Sequence, residues 1–243
     1  MRKLIAAVLV AVATLVAGPV VAADFPDYPP IIEIPDVDYG VAGSFYLRGS
    51  AGLNLLWAKE VRDACTLCVF ETNHSGFGYS VGAGFGYETG TGLRVDATLD
   101  WLHNSGLAIT KATGNPVIDG TYSLNLRTAL ALANVYYDFS LSGDQDYGAE
   151  GGAFAYVGAG AGLAYNMTSV VAPATFPISD GAHASFAAAG MVGVGYDFGD
   201  VVADVGYRGL YINQITNVPS TTGYYIDNAF IHEMRGTVRY RFN

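Results

Sequence analysis

The stretch FGYSVGAGFGY, residues 77–87, alternates two kinds of side chain along its whole length. Its odd-numbered residues are apolar or aromatic, whereas its even-numbered residues are glycine or serine. A period of two places successive side chains on opposite faces of a β-strand. The stretch therefore predicts a strand with one apolar face and one face that carries almost no side chains.

The same period recurs along the rest of the chain, often with charges on the second face. In residues 93–101, for example, apolar side chains alternate with Arg94, Asp96 and Asp100. No segment between these stretches has a helical period. We predict an all-β chain of eight antiparallel strands, at 44–57, 75–88, 92–103, 121–139, 153–166, 183–198, 201–213 and 229–242.

The connections between these segments differ in length in a regular way. Short ones at 88–92 and 198–200 and an intermediate one at 140–152 alternate with long ones at 58–74, 104–120, 167–182 and 214–228. In an antiparallel meander all the long connections emerge at one end, which is typical of an up-and-down transmembrane β-barrel. In the fourth segment the apolar residues change from even-numbered positions, up to Leu132, to odd-numbered positions, from Val135 onward. We therefore predict a β-bulge near Ala133 and Asn134, with misplaced strand ends as the alternative.

Composition favours a wall that contacts lipid. Of the 243 residues, 51% are hydrophobic and only 14% are charged, yet the long apolar run is confined to the N-terminus. A soluble sandwich would place more charges on its water-facing side. The formal net charge of −10 and the absence of a Lys/Arg cluster argue against binding of nucleic acid.

The N-terminus has the features of an export signal. Arg2 and Lys3 precede an apolar run, and Gly18-Pro19 and small residues up to Ala23 follow it. We predict a signal peptide at 1–23, with an uncleaved anchor as the alternative, then a Pro-rich acidic periplasmic segment at 24–43 and the barrel at 44–243. Export would allow Cys65 and Cys68 to form a disulfide.

Charges on the second face are expected to point into a narrow lumen. Glycines on that face would make room for them, and paired charges are cheaper to bury than isolated ones. The alternative is a water-filled channel with solvated charges. Aromatic residues near strand ends, Tyr46 and Tyr136 among them, are expected at the membrane interfaces. The predicted lumenal network comprises Arg48, Arg94, Asp96, Asp100, Arg127, Asp204, Arg208, Glu233, Arg235, Arg239 and Arg241.

Four stretches carry a resemblance to a known family: RGTVRYRF at 235–242, ANVYYDF at 133–139, AYVGAGAG at 155–162 and VGYDF at 194–198. With the predicted signal and strands, the chain resembles the OmpA-like and opacity-type small outer-membrane barrels, in particular alphaproteobacterial surface antigens. The resemblance spans about residues 44 to 242. It implies an outer-membrane location, contact with membrane lipid and lipopolysaccharide, and insertion by the barrel assembly machinery, which would read Tyr240 and Phe242; here Asn243 follows.

Two local motifs could carry chemistry. Cys65 and Cys68 form a CxxC, for which a structural disulfide is favoured over redox activity or zinc binding with His74 and Glu71. His103 and Ser105 resemble the His-x-Ser pair of lipid-hydrolysing barrels, with Asp100 or Asp119 orienting the histidine. A loop histidine and a turn serine are the more ordinary interpretation. We therefore expect no enzyme activity, no cofactor and no metal.

Three functions remain open from the sequence. The first is a structural and surface role in the cell envelope, with or without a narrow porin-like pore for small solutes. The second is a binding module whose long external loops contact host or cell-surface ligands. The third is a lipid-modifying enzyme built on His103 and Ser105.

Overall fold

The computed structural model describes residues 43–58, 60–63, 69–111, 119–141, 152–171, 180–217 and 224–242. The predicted signal peptide, nearly all of the Pro-rich segment, Cys65, Cys68 and Asn243 lie outside these residues. The described residues contain no helix that is long and apolar enough to cross a membrane.

The described strands form one closed antiparallel sheet. Eight of them make the ring, in which each strand pairs with its neighbours in the chain and β1 pairs with β10. The predicted eight-stranded antiparallel barrel is therefore confirmed. The strands are β1 (Ser44–Trp57), β2 (Glu60–Asp63), β3 (Val69–His74), β4 (Gly76–Glu88), β5 (Leu93–Lys111), β6 (Gly120–Ser140), β7 (Gly152–Val171), β8 (Gly181–Asp197), β9 (Val201–Thr216) and β10 (Tyr224–Phe242).

The register of the ring sets the tilt of the strands. A walk from partner to partner leaves β1 at Leu47 and returns to it at Trp57, ten residues further along. This stagger corresponds to a tilt of about 40° and a backbone radius of about 8 Å, so the interior is wide enough for side chains only. The walk passes through Phe85, Ala97, Ala133, Ala161, Ala188, Tyr211 and Phe230.

The strands extend further than predicted at the end opposite Ser44 and Phe242, which we call the outer end. There β5 continues to Lys111, β7 continues to Val171 and β10 begins at Tyr224. The predicted loop at 58–74 contains the hairpin of β2 and β3, which pair with β10 and β5 and continue the wall. These extensions lacked apolar alternation because outward-facing residues in them are polar, as Ser169 is.

The bulge predicted at Ala133 and Asn134 is wrong. Strand β6 pairs with β7 without a register shift from Ser123 to Ser140. The parity of the apolar residues changes because the outer part of the lumen is itself apolar, so that leucines of β6 face inward there. The shift in this region lies in β5 instead, between Asn104 and Leu107, where Gly106 has a φ of 85°.

The outward face of the ring is apolar, and the inner part of the lumen is polar and charged, the reverse of a soluble protein. Leu53, Phe77 and Leu99 are more than 70% exposed, whereas Arg208 is fully buried. We call the two rings of outward-facing aromatics the inner belt (Phe45, the half-buried Tyr87, Tyr137, Tyr196 and Tyr240) and the outer belt (Trp57, Phe77, Tyr165 and Phe230).

The spacing of the belts matches a bilayer. Phe77 and Tyr87 lie ten residues apart on β4, which is about 25 Å along the axis at this tilt and equals the usual apolar height of a membrane barrel. Two of the aromatics expected in these belts, Tyr46 and Tyr136, face the lumen instead and are buried. Both phenols bond to charged groups there, which explains their inward position.

Candidate functional site

The inner part of the lumen holds a network of paired charges. Five arginines and four acids are buried, and the half-buried acids Asp138, Glu88 and Asp197 and the partly buried Arg241 extend the network. Isolated charges would be expensive in this setting, whereas paired and hydrogen-bonded charges are tolerated. The buried members are Arg48, Arg94, Arg208, Arg235, Arg239, Asp96, Asp100, Asp204 and Glu233.

Arg208 lies at the centre of the network. Its Nη1 is 2.6 Å from Oδ2 of Asp100, and its Nη2 is 2.6 Å from Oε2 of Glu233. Arg235 contacts the other oxygen of Asp100 at 3.0 Å, and the Ser80 hydroxyl donates to Glu233 at 2.6 Å. Both carboxylates are thus bonded through both of their oxygens.

A second group surrounds Asp96. Arg48 donates to it at 2.7 Å, the Asn134 amide at 2.7 Å and the Tyr46 hydroxyl at 3.0 Å. Arg48 also donates to the Tyr136 hydroxyl at 2.8 Å. Side chains from β1, β5 and β6 are therefore joined across the interior.

At the inner end of the barrel, near Ser44 and Phe242, the network ends in arginines that stack on aromatic rings. Arg94 pairs with Asp138 at 2.8 Å and lies 4.1 Å from the centre of the Tyr136 ring. Arg239 is 3.3 Å from Glu88. Arg241, only partly buried, pairs with Glu88 and, at 2.6 Å, with Asp197. These pairs tie β10 to the ends of β4 and β8.

The outer part of the lumen is an apolar layer, which sequence reasoning missed. It packs side chains from most of the ring strands, and its few polar groups bond to each other, as in the chain from Thr128 to Asn166 to Ser185 at 2.8 Å per step. The sequence feature that could have revealed this layer is the placement of the β6 leucines at even-numbered positions, on the same face as Asn134 and Tyr136. The layer includes Leu56, Leu102, Leu124, Leu126, Leu130, Leu210, Ile212 and Ile231.

Arg127 does not belong to the lumenal network, which corrects the prediction. It faces outward and is exposed, because the leucines on either side of it, Leu126 and Leu130 among them, turn inward. The prediction assumed that the face of β6 with the apolar side chains always contacts lipid. Every other arginine and acid predicted for the network faces the lumen.

The candidate hydrolase residues lie on the outer wall. His103 and Ser105 both face outward on β5, and the ring of Tyr79 lies 5.5 Å from that of His103. Asp100 lies on the opposite, lumenal face of β5 and is held there by Arg208 and Arg235. It therefore cannot orient His103, while Asp119 lies beside the first residue of β6.

The aromatic residues near the C-terminus also face outward. Tyr240 and Phe242 are about half exposed, and their rings meet edge to face at 5.3 Å. They are therefore accessible at the inner end of the wall, where the resemblance places an assembly signal.

Lumenal glycines provide the room that the aromatic residues occupy. A Cβ added to Gly158 would meet the ring of Tyr136, which Arg48 and Met191 hold in place. We expect Gly158→Ala to lower the free energy of unfolding by about 1–3 kcal/mol through overpacking. Urea unfolding in lipid vesicles measures this.

Gly190 is the matched control, since it lies on the adjacent strand β8 and faces outward with nothing within 4 Å of an added Cβ. We expect Gly190→Ala to leave the unfolding midpoint unchanged or slightly raised. Equal losses for the two variants would contradict the packing described for the lumen.

Solved structures with a similar fold are small bacterial surface and outer-membrane proteins. Neisserial surface protein A has a TM-score of 0.50 and 22% identity, covering 83% of this chain and 99% of its own. OprG of Pseudomonas aeruginosa, an outer membrane protein, has a TM-score of 0.46 and 13% identity over 85% and 100% of the two chains. No protein-family model and no curated protein sequence matches the chain. The similarity between this chain and these structures is one of fold.

Proposed function

We propose that this chain is an integral outer-membrane barrel with a structural role at the cell surface. The observation that carries this proposal is the inverted polarity of the wall, in which exposed apolar side chains form a band of about 25 Å between two aromatic belts. The filled and ion-paired lumen makes the wall rigid without enclosing a wide channel.

Membrane fractionation combined with a heat-modifiability gel tests this function. We expect the chain, expressed with residues 1–23 in a Gram-negative host, to enter the outer-membrane fraction and to lose those residues. The unboiled protein should migrate differently from the boiled one, because a folded barrel resists the detergent. A water-soluble product that migrates identically before and after heating would contradict the proposal.

The narrow pore is the second candidate, and a planar-bilayer recording separates it from the structural role. Buried side chains such as Arg208, Leu102 and Leu210 occupy the interior at successive heights. We expect the folded protein to give no stable conductance steps under conditions in which a water-filled porin conducts. Reproducible steps would instead support passage of small solutes.

We also propose that the chain is not an enzyme. Asp100, one of the two acids predicted to orient His103, is engaged in the lumen. We expect Ser105→Ala and His103→Ala to leave the lipid A profile of the host the same as that of the parent. A lipid A product that is present with the parent and absent with both variants would instead support hydrolase activity.

The proposed outer-membrane role implies two kinds of partner, the barrel assembly machinery and ligands of the external connections. Tyr240 and Phe242 are exposed at the inner end, as a signal for the barrel assembly machinery requires. Ligands on a host or on other cells would bind the connections at 112–119, 172–180 and 217–223 or the tip of the β2–β3 hairpin. Deleting those connections while keeping the strands tests this binding role.

A further inference from the structure

Arg127 is a charge on an otherwise apolar wall. Within the described strands it is the only formally charged side chain that faces outward between the two belts or at their edges. No described carboxylate lies within ion-pair distance of it. An anionic partner for Arg127 would therefore come from outside the chain.

The depth of Arg127 identifies where that partner comes from. Arg127 lies ten residues from Tyr137 of the inner belt along β6, which is about 25 Å along the axis. This distance places its side chain at the outer edge of the apolar band, level with the headgroups of the outer leaflet. A charge costs little there, since it meets headgroups and water.

A second polar group stands beside Arg127. His103 is its direct partner on β5, so the two Cβ atoms lie about 5 Å apart. The imidazole packs against the ring of Tyr79, and its ring N–H is a hydrogen-bond donor on the strand position paired with Arg127. Arginine and histidine together match a phosphate, which accepts several charge-assisted hydrogen bonds.

An apolar furrow runs down the wall directly below this pair. The next outward residues of β6 are Ala129 and Ala131, and bulky side chains of β5 rise beside them. Together with Val81, Leu99 and Trp101 they line an open groove of about 570 Å³. A second groove of about 670 Å³ continues the furrow at Ala133. The furrow thus leads from the headgroup level towards the middle of the bilayer.

We propose that this part of the wall binds a phosphorylated lipid of the outer leaflet, of the lipid A class. A phosphate binds to Arg127 and His103, and an acyl chain lies in the furrow over Ala129 and Ala131. The charge at the head of the furrow selects an anionic amphiphile over a neutral one. This inference rests on the proposed outer-membrane location.

Native mass spectrometry of the folded chain in detergent, titrated with bisphosphorylated lipid A, tests the site. We expect Arg127→Gln to weaken binding by about tenfold or more, with Arg127→Lys in between, since a charge-assisted bond is lost. Ala131→Leu fills the furrow and should weaken binding by about threefold. Ala51→Leu is the matched control, because Ala51 faces outward on β1, away from the furrow, and should bind as the parent does.

Several outcomes would overturn the inference. Equal binding of dephosphorylated lipid A, or parental affinity in Arg127→Gln, would remove the phosphate contact. Parental affinity in Ala131→Leu would remove the acyl groove, and displacement of lipid A by millimolar inorganic phosphate would assign the pair to a small anion. Failure of the membrane location itself is distinguishable, since the parent would then not be heat-modifiable.

Discussion

Replacing Arg208 with methionine is expected to lower the free energy of unfolding by about 3–5 kcal/mol, because one partner of a buried ion-pair network is removed. Arg208 is fully buried and bonds to Asp100 and Glu233. Without it, both carboxylates share the single guanidinium of Arg235. Urea unfolding in lipid vesicles, followed by the fluorescence of Trp57 and Trp101, measures the loss.

Two further variants separate the network from simple side-chain loss. Adding Glu233→Gln to Arg208→Met should recover at least about 1 kcal/mol, since one orphaned charge is removed. Arg241→Gln, at the partly exposed inner rim, should cost about 1 kcal/mol or less. A loss in Arg208→Met as small as that of Arg241→Gln would show that solvent, and not the network, stabilises the lumenal charges.

The second large effect is expected on the opposite face of the wall. Leu99 is 71% exposed, and its position on β5 is near the middle of the apolar band. An arginine at the bilayer midplane costs about 2–4 kcal/mol in a membrane barrel. We therefore expect Leu99→Arg to lower the free energy of unfolding in vesicles by that amount.

Ser169 provides the control for Leu99. It faces outward on β7, beyond the outer belt residue Tyr165, so Ser169→Arg should change the free energy of unfolding by about 1 kcal/mol or less. If Leu99→Arg were as stable as Ser169→Arg, the exposed apolar face would be in contact with water, and the membrane location would fail.

The period of two was sufficient to predict the ring but not its full height. Within the apolar band each outward residue must suit lipid, so alternation is strong, as in residues 77–87. Beyond the outer belt the outward face carries polar residues, as Ser123 and Ser169 show, so the alternation of outward apolar and inward polar residues is lost. The hairpin of β2 and β3 is stabilised by pairing with β10 and β5, which are remote in sequence.

Charge and parity predicted most of the lumenal residues, and they misled at one strand. Ten of the eleven predicted residues face the interior, because a charged side chain that faces lipid at mid-depth destabilises the barrel. Arg127 lies at the edge of the band, where that constraint is weak. Which acid meets which arginine depends on the ten-residue stagger of the ring, which no local pattern reveals.

Strand β10 supplies the partners of charged lumenal residues that lie on other strands. Glu233, Arg235 and Arg239 all lie on β10, and their partners Asp100, Arg208 and Glu88 belong to three other strands. A ring that lacks β10 would therefore hold a lumen with unmatched charge and an open seam. Closure of the ring is thus electrostatically coupled to pairing of β10, so that a truncated product would be unstable and exposed to proteolysis.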